Sequence, residues 1–131
     1  MFLDTSGLLC FFDDTDSRHE KAVSLIKSAN SLLTTNYVLA EFIPLFQVRK
    51  LNRVKALKFV KVITENPLIE IVWIDEIFHQ KGFELLESRL DKNYSLCDAV
   101  SFVVLREREI TEALTTDKHF EQEGFVKLLE S

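Results

Sequence analysis

Three carboxylates stand alone inside otherwise apolar stretches of this chain. Asp4 is the only charge in MFLDTSGLLCFF (residues 1–12), Glu41 the only charge in YVLAEFIPLFQV (37–48) and Asp98 the only charge in LCDAVSFVVL (96–105). Ionised carboxylates are almost never buried unless they are paired or bound to a cation. Three such acids in one small chain ask for a common cause, and a shared divalent metal is the simplest. Asp117 joins them by position, directly after the run ALTT (113–116). Four converging carboxylates would raise one another's pKa and repel, and a hard, oxygen-liganded Mg²⁺ or Mn²⁺ resolves that conflict. Such a cation activates water and neutralises charge on a phosphate oxygen, so the chemistry expected is phosphodiester hydrolysis. His19, His79 and His119 are scattered without a zinc-like spacing, and each is expected at the surface or an interface rather than as a ligand.

Three of the four acids also have a simpler structural reading. Asp4 ahead of Thr5-Ser6 and Asp117 ahead of Lys118 suit helix N-caps, and Asp98 in a first turn favours the helix dipole. Glu41, mid-helix among Leu39, Ala40, Phe42 and Ile43, has no such explanation.

The elements that must position these acids follow from apolar period and capping signals. Short strands are expected at 1–4, 31–35, 69–74, 112–116 and 125–128. The chain turns at 5–7, and a short helix begins at Leu8. Ser17-Arg18-His19-Glu20 reads as a capping box that starts a helix. Asn36 is expected to cap the helix carrying Glu41, with Pro44 kinking it or loosening its first turns. Asn52 caps the next helix, Asp75 caps one running to Leu90, and Ser95-Leu96-Cys97-Asp98 forms a second capping box whose helix ends near Arg108. Strands alternating with helices predict an α/β domain with a mainly parallel sheet. In such sheets ligands bind at the carboxyl ends of the strands, where strand order reverses. Asp4 ends strand one and Asp117 follows strand four, so the two share a crevice if those strands are neighbours.

The 131 residues suit one domain spanning 1–131, and 47% hydrophobic content with 11 Phe supplies a core. No apolar stretch reaches the roughly 18 residues of a membrane span. Cys10 and Cys97 both lie in apolar runs, which fits buried free thiols in a reducing cytoplasm. The net charge of −5 conceals a contrast: residues 42–64 hold Arg49, Lys50, Arg53, Lys55, Lys58 and Lys61 and no acid, which leaves 10 basic against 21 acidic residues elsewhere. Arg49, Lys50, Arg53 and Lys55 are therefore candidates for contacting a nucleic-acid backbone. Phe42, Leu45, Phe46, Phe59 and Val60 suggest more apolar surface than one helix face must bury, and so either core or a partner groove.

The ordered segments resemble the PIN-domain family, particularly the VapC-type ribonuclease toxins of bacteria and archaea. FLDTSGLL is similar to its first motif, with the acid at Asp4. TTNYVLAE is similar to the second, with the acid at Glu41. YSLCDAVSFVVLRE resembles the third at Asp98 and LTTDKHFEQEGF the fourth at Asp117. The resemblance implies a PIN-like three-layer sandwich with about five strands in order 3-2-1-4-5. It also implies an Mg²⁺- or Mn²⁺-dependent endoribonuclease, an antitoxin partner that blocks the site, and a homodimer. In this reading Asp4, Asp98 and Asp117 bind metal, and Glu41 completes the cage or takes a proton from the attacking water. Hydrolysis would leave a 5′-phosphate and a 3′-hydroxyl. Thr5, Ser6, Asn36 and Thr116 would orient the acids or water. Glu109 stands where many relatives have a helix-ending glycine.

Three rivals remain at this level. A haloacid-dehalogenase-type phosphatase needs Asp-x-Asp after strand one, whereas this chain has Asp4-Thr5-Ser6. A non-enzymatic module would use the acids to hold a structural metal or a cationic partner. A stand-alone PIN nuclease of RNA processing would share the chemistry without an antitoxin.

Overall fold

Residues 1–131 are described in a computed structural model. In chain order the elements are β1 (Phe2–Leu3), α1 (Thr5–Phe12), α2 (His19–Ser28), β2 (Leu32–Thr35), α3 (Asn36–Val48) and α4 (Arg53–Glu65). They continue with β3 (Ile69–Val72), α5 (Glu76–Glu87), α6 (Leu96–Glu107), β4 (Glu112–Leu114), α7 (Lys118–Gln122) and β5 (Val126–Lys127). The five strands form one sheet in order β3-β2-β1-β4-β5, and every neighbouring pair is parallel. Right-handed crossovers lead outward from β1 to β2 and β3, and back through α5 and α6 to β4. Helices α1–α4 pack with one another on one face and α5 packs on α6 on the other. Strand order reverses between β1 and β4, which is where an open parallel sheet leaves a crevice at its carboxyl ends.

The phenylalanines divide between the two faces because, Phe2 apart, those that pack there sit on helices on opposite sides of the sheet. Phe2 meets Phe120, and Phe102 packs edge-on against Phe120 and Tyr94 at centroid distances of 4.9 and 5.1 Å. On the α1–α4 side Phe12 packs against Phe46 and Phe59 at 4.7 and 5.1 Å, and Phe42 against Phe59 at 5.2 Å. Phe42 and Phe46 are fully buried, and Leu45, Phe59 and Val60 pack against the same core. These five residues therefore belong to the core rather than to a partner groove. The outward apolar residues of α3 and α4 are instead Val48, Val54, Leu57 and Val62.

Several local expectations are met. Asn52, Asp75, Ser95 and Asp117 each accept a backbone N–H of the helix they cap, and Ser95 with Asp98 completes a capping box. Glu109 adopts φ +54 just past α6, the left-handed conformation that usually selects glycine there. Other expectations are corrected. Helix α1 starts at Thr5, so residues 5–7 form its first turn rather than a separate turn. Gly7 permits this, because a Cβ there would lie 1.9 Å from the Leu114 carbonyl oxygen on β4. The Ser17 capping box does not form. The Asp16 carboxylate takes the Arg18 backbone N–H and guanidinium at 2.8–2.9 Å, and α2 starts at His19. Thr35, not Asn36, caps α3 by accepting the Val38 N–H. Pro44 lies inside α3 as expected, whereas α5 stops at Glu87 rather than Leu90. No helix is long and apolar enough to cross a membrane.

Candidate active site

The crevice is built first from β1 and β4. Asp4 follows β1 immediately and is 5% exposed. Thr115, just past β4, donates its hydroxyl to Asp4 Oδ2 at 2.7 Å, and the Ser6 hydroxyl donates to the same oxygen at 3.3 Å. Ser6 Oγ lies 3.1 Å from Thr115 Oγ1 and accepts the Thr116 N–H, while Thr115 Oγ1 accepts the Asp117 N–H. Hydroxyls and amides thus tie the two strand ends together around one buried carboxylate. Burial pushes Asp4 up to about 7. The Thr115 hydroxyl opposes that shift, and the charges of Asp98 and Glu41 add to it.

Asp98 comes from the opposite face of the sheet, in the first turn of α6, and is 8% exposed. Its Oδ2 accepts the Ser95 N–H at 3.1 Å, and His119 Nδ1 lies 3.1 Å from the same oxygen. Burial raises its pKa and Asp117 raises it further, against the Ser95 amide and His119. Asp117 caps α7 by accepting the His119 N–H at 2.9 Å, and its Oδ1 is 3.4 Å from His119 Nδ1. One potential ligand atom from each of Asp98, Asp117 and His119 falls within 4.8 Å of the others. Glu41 sits on α3, which meets α6 at this end of the sheet. It acts on the Cys97 thiol, which burial first and then the Glu41 and Asp4 charges push far up.

The donor set suits a divalent cation. Two buried carboxylates are held against their own repulsion, and a third carboxylate and an imidazole nitrogen stand beside them. Oxygen donors with one imidazole nitrogen are a set that a divalent metal ion takes.

Residues 1–125 match the PIN domain family. The chain belongs to that family. Among its relatives, a VapC ribonuclease of Archaeoglobus fulgidus is 27% identical over 124 residues, covering 90% of this chain and 77% of that protein. The 23S rRNA-specific endonuclease VapC20 of Mycobacterium tuberculosis is 29% identical over 129 residues, covering 98% of this chain and 97% of that one. The crystal structure of M. tuberculosis VapC20, described as a sarcin–ricin loop cleaving toxin, superposes with a TM-score of 0.88 at 27% identity, over 99% of this chain and 98% of that one.

Not every expected site residue of this PIN domain lies as the sequence suggested. Glu41 is exposed, so it is no burial violation. The apolar neighbours Phe42 and Phe46 bury a different face of α3. Thr115, not Thr116, supplies the hydroxyl on Asp4, and Thr116 contributes only its backbone N–H. Thr5 is buried with an unpartnered hydroxyl and meets Asp4 through its backbone N–H instead. Asn36 reaches away from the acids and accepts the Ile74 N–H at 2.7 Å, pinning the segment after β3. Ser6 alone of those four bonds a site carboxylate through its side chain. His119, expected at the surface or an interface rather than as a ligand, stands among the acids instead. Its one sequence signal is its place two residues after the capping Asp117.

Arg49, Lys50, Arg53 and Lys55 are all exposed around the turn from α3 to α4. Arg49 lies 3.5 Å from Asp16. Eight residues, about 12 Å of helix axis, separate Glu41 from Arg49. The basic cluster thus stands at the far end of α3 from the acids.

Proposed function

We propose that this PIN-domain protein is a metal-dependent endoribonuclease and the toxin of a toxin–antitoxin pair. The observation that supports the reading is the cluster of Asp98, Asp117 and His119, with the buried Asp4 tied to the same strand ends through Thr115. The ribonuclease names of its relatives supply the substrate class. Asp4, Asp98 and Asp117 would hold Mg²⁺ or Mn²⁺, with His119 Nδ1 as a further ligand or as the group that steadies Asp98 and Asp117. A bound divalent cation there lowers the pKa of water and neutralises charge on the scissile phosphate.

The chain's own residues do the rest. Thr115 and Ser6 fix the orientation of Asp4, and the Ser95 amide fixes Asp98. Glu41, exposed at the mouth, is free to accept a proton from the attacking water. Arg49, Lys50, Arg53 and Lys55 would hold phosphates of a strand lying along α3. A cognate antitoxin placing an arginine or lysine among the acids would compete directly with the metal, and two toxin chains would pair as a homodimer. The RNA substrate and the two free cysteines fit a cytoplasmic site of action.

Purified protein is expected to cut a ribosomal RNA stem–loop with Mg²⁺ or Mn²⁺, to leave 5′-phosphate and 3′-hydroxyl ends, and to stop with EDTA. Cleavage that continues in EDTA, or a rate unchanged by Asp98→Asn, refutes the reading. Metal binding without any turnover would favour the non-enzymatic module.

A further inference from the structure

Trp73 is the chain's one tryptophan, and it is 66% exposed. It follows β3, whose Val72 is buried, and the core has no use for its ring. Because the sheet is wholly parallel, the end of β3 lies on the same rim as the ends of β1 and β4, where the acids cluster. Asn36 pins that rim by accepting the Ile74 N–H, so the backbone beside Trp73 is tied to the first turn of α3. The next residue of α3, Tyr37, bonds His79 Nδ1 through its hydroxyl at 2.5 Å. The two rings meet edge-on with centroids 6.0 Å apart. Tyr37 stands four residues before Glu41, and side chains at that spacing share one helix face. Ile77, in the first turn of α5, is also 63% exposed.

The charge at this rim is unsuited to gripping phosphates. Asp75 and Glu76 follow Trp73 closely, Glu41 and the site acids lie beyond, and Lys81 is paired with Glu107 at 2.7 Å. Exposed cations without an acid partner lie elsewhere, Lys50, Arg53 and Lys55 at the far end of α3 and Lys118 beyond β4, on the other side of the acids from β3. An RNA strand entering over this rim therefore needs a contact that does not depend on charge. Exposed aromatic rings provide one, because every unpaired base presents a face that stacks.

We propose that Trp73, on the rim that the Asn36–Ile74 contact ties to α3, is a base-stacking subsite for an unpaired nucleotide of the RNA strand. The proposal rests on the nuclease reading and adds to it a requirement for unstacked bases next to the cut. The subsite selects single-stranded or looped RNA over continuous duplex.

The single tryptophan makes the test direct. Asp98→Asn protein in Mg²⁺ is titrated with a fluorescein-labelled single-stranded RNA oligonucleotide, following both label anisotropy and Trp73 emission. Binding is expected to quench Trp73 emission in parallel with the anisotropy rise, and a blunt RNA duplex is expected to quench little. Trp73→Ala is expected to weaken single-strand binding about tenfold, within the range for one lost stack. The slope of log Kd against log salt should stay unchanged, and Trp73→Phe should recover most of the affinity. Binding without quenching, or Trp73→Ala binding as tightly as the parent, overturns the subsite and leaves the nuclease reading standing. No RNA binding by anisotropy, together with no cleavage by the parent, overturns both.

Discussion

Asp4→Asn should make the metal-free protein more stable at neutral and alkaline pH, although it removes a residue of the proposed active site. Asp4 is buried, and its pKa is pushed from 3.8 to about 7. The folded protein therefore holds that proton more tightly than the unfolded chain does. The resulting stability is fully present below about pH 4 and is lost as pH rises through about 7, where the folded carboxyl ionises. Three pK units at 1.36 kcal/mol each place the cost of the charge at up to about 4 kcal/mol. Asparagine carries no charge, and its side-chain oxygen can still accept the Thr115 hydroxyl that now sits 2.7 Å from Oδ2. In EDTA the variant and parent should unfold at similar urea concentrations near about pH 4. Near about pH 8 the variant's midpoint should lie higher by more than about 1 M, for an m-value of about 1–3 kcal/mol per M. Saturating Mn²⁺ should reverse the order, because only the parent gains binding energy from an ion at the full acid set. A variant no more stable than the parent at about pH 8 in EDTA would refute the claim that Asp4 is a buried charge awaiting a cation.

Three further outcomes follow from individual contacts. His119→Ala removes an imidazole nitrogen 3.1 Å from Asp98 and 3.4 Å from Asp117. It should lower Mn²⁺ affinity about 10–100-fold in a direct titration. The fold should survive, because Asp117 caps α7 through the backbone N–H of residue 119. Gly7→Ala forces a Cβ against the Leu114 carbonyl oxygen at 1.9 Å, whereas at Gly82 the nearest atom is a Val100 side-chain carbon at 2.5 Å. Gly7→Ala should thus cost at least about 3 kcal/mol in urea unfolding, and more than Gly82→Ala. Arg53→Ala and Lys55→Ala should each weaken RNA binding regardless of sequence and reduce the salt slope by about one, and an unchanged slope would mean that neither side chain meets a phosphate.

Much of the architecture was legible because its signals are local. The caps at Asn52, Asp75, Ser95 and Asp117 need only the residue and the amide it serves two or three positions on. Asp117 directly after ALTT also let strand order pair it with Asp4. What escaped the sequence depended on parity, rotation or competition. Thr115 and Thr116 differ by one step along an extended chain, which turns the hydroxyl to the opposite side. Glu41 lies next to Phe42 in sequence but about 100° around the helix from it, so an apolar stretch did not mean a buried carboxylate. The Ser17 box fails because Asp16 takes the Arg18 backbone N–H and grips its guanidinium with both oxygens, and α2 starts at His19 without a side-chain cap. His119 looked isolated because its partner Asp98 lies on α6, which meets α7 only in the fold.

The central claim is that the acids at the switch point hold the divalent ion on which RNA cleavage depends. Mn²⁺ binding followed by electron paramagnetic resonance, in parallel with RNA cleavage, tests it across the parent, Asp4→Asn, Asp98→Asn and Asp117→Asn. Binding and cleavage should fall together in every variant while RNA affinity is retained. Undiminished Mn²⁺ binding in all three variants, or cleavage that persists after the ion is lost, would contradict the account.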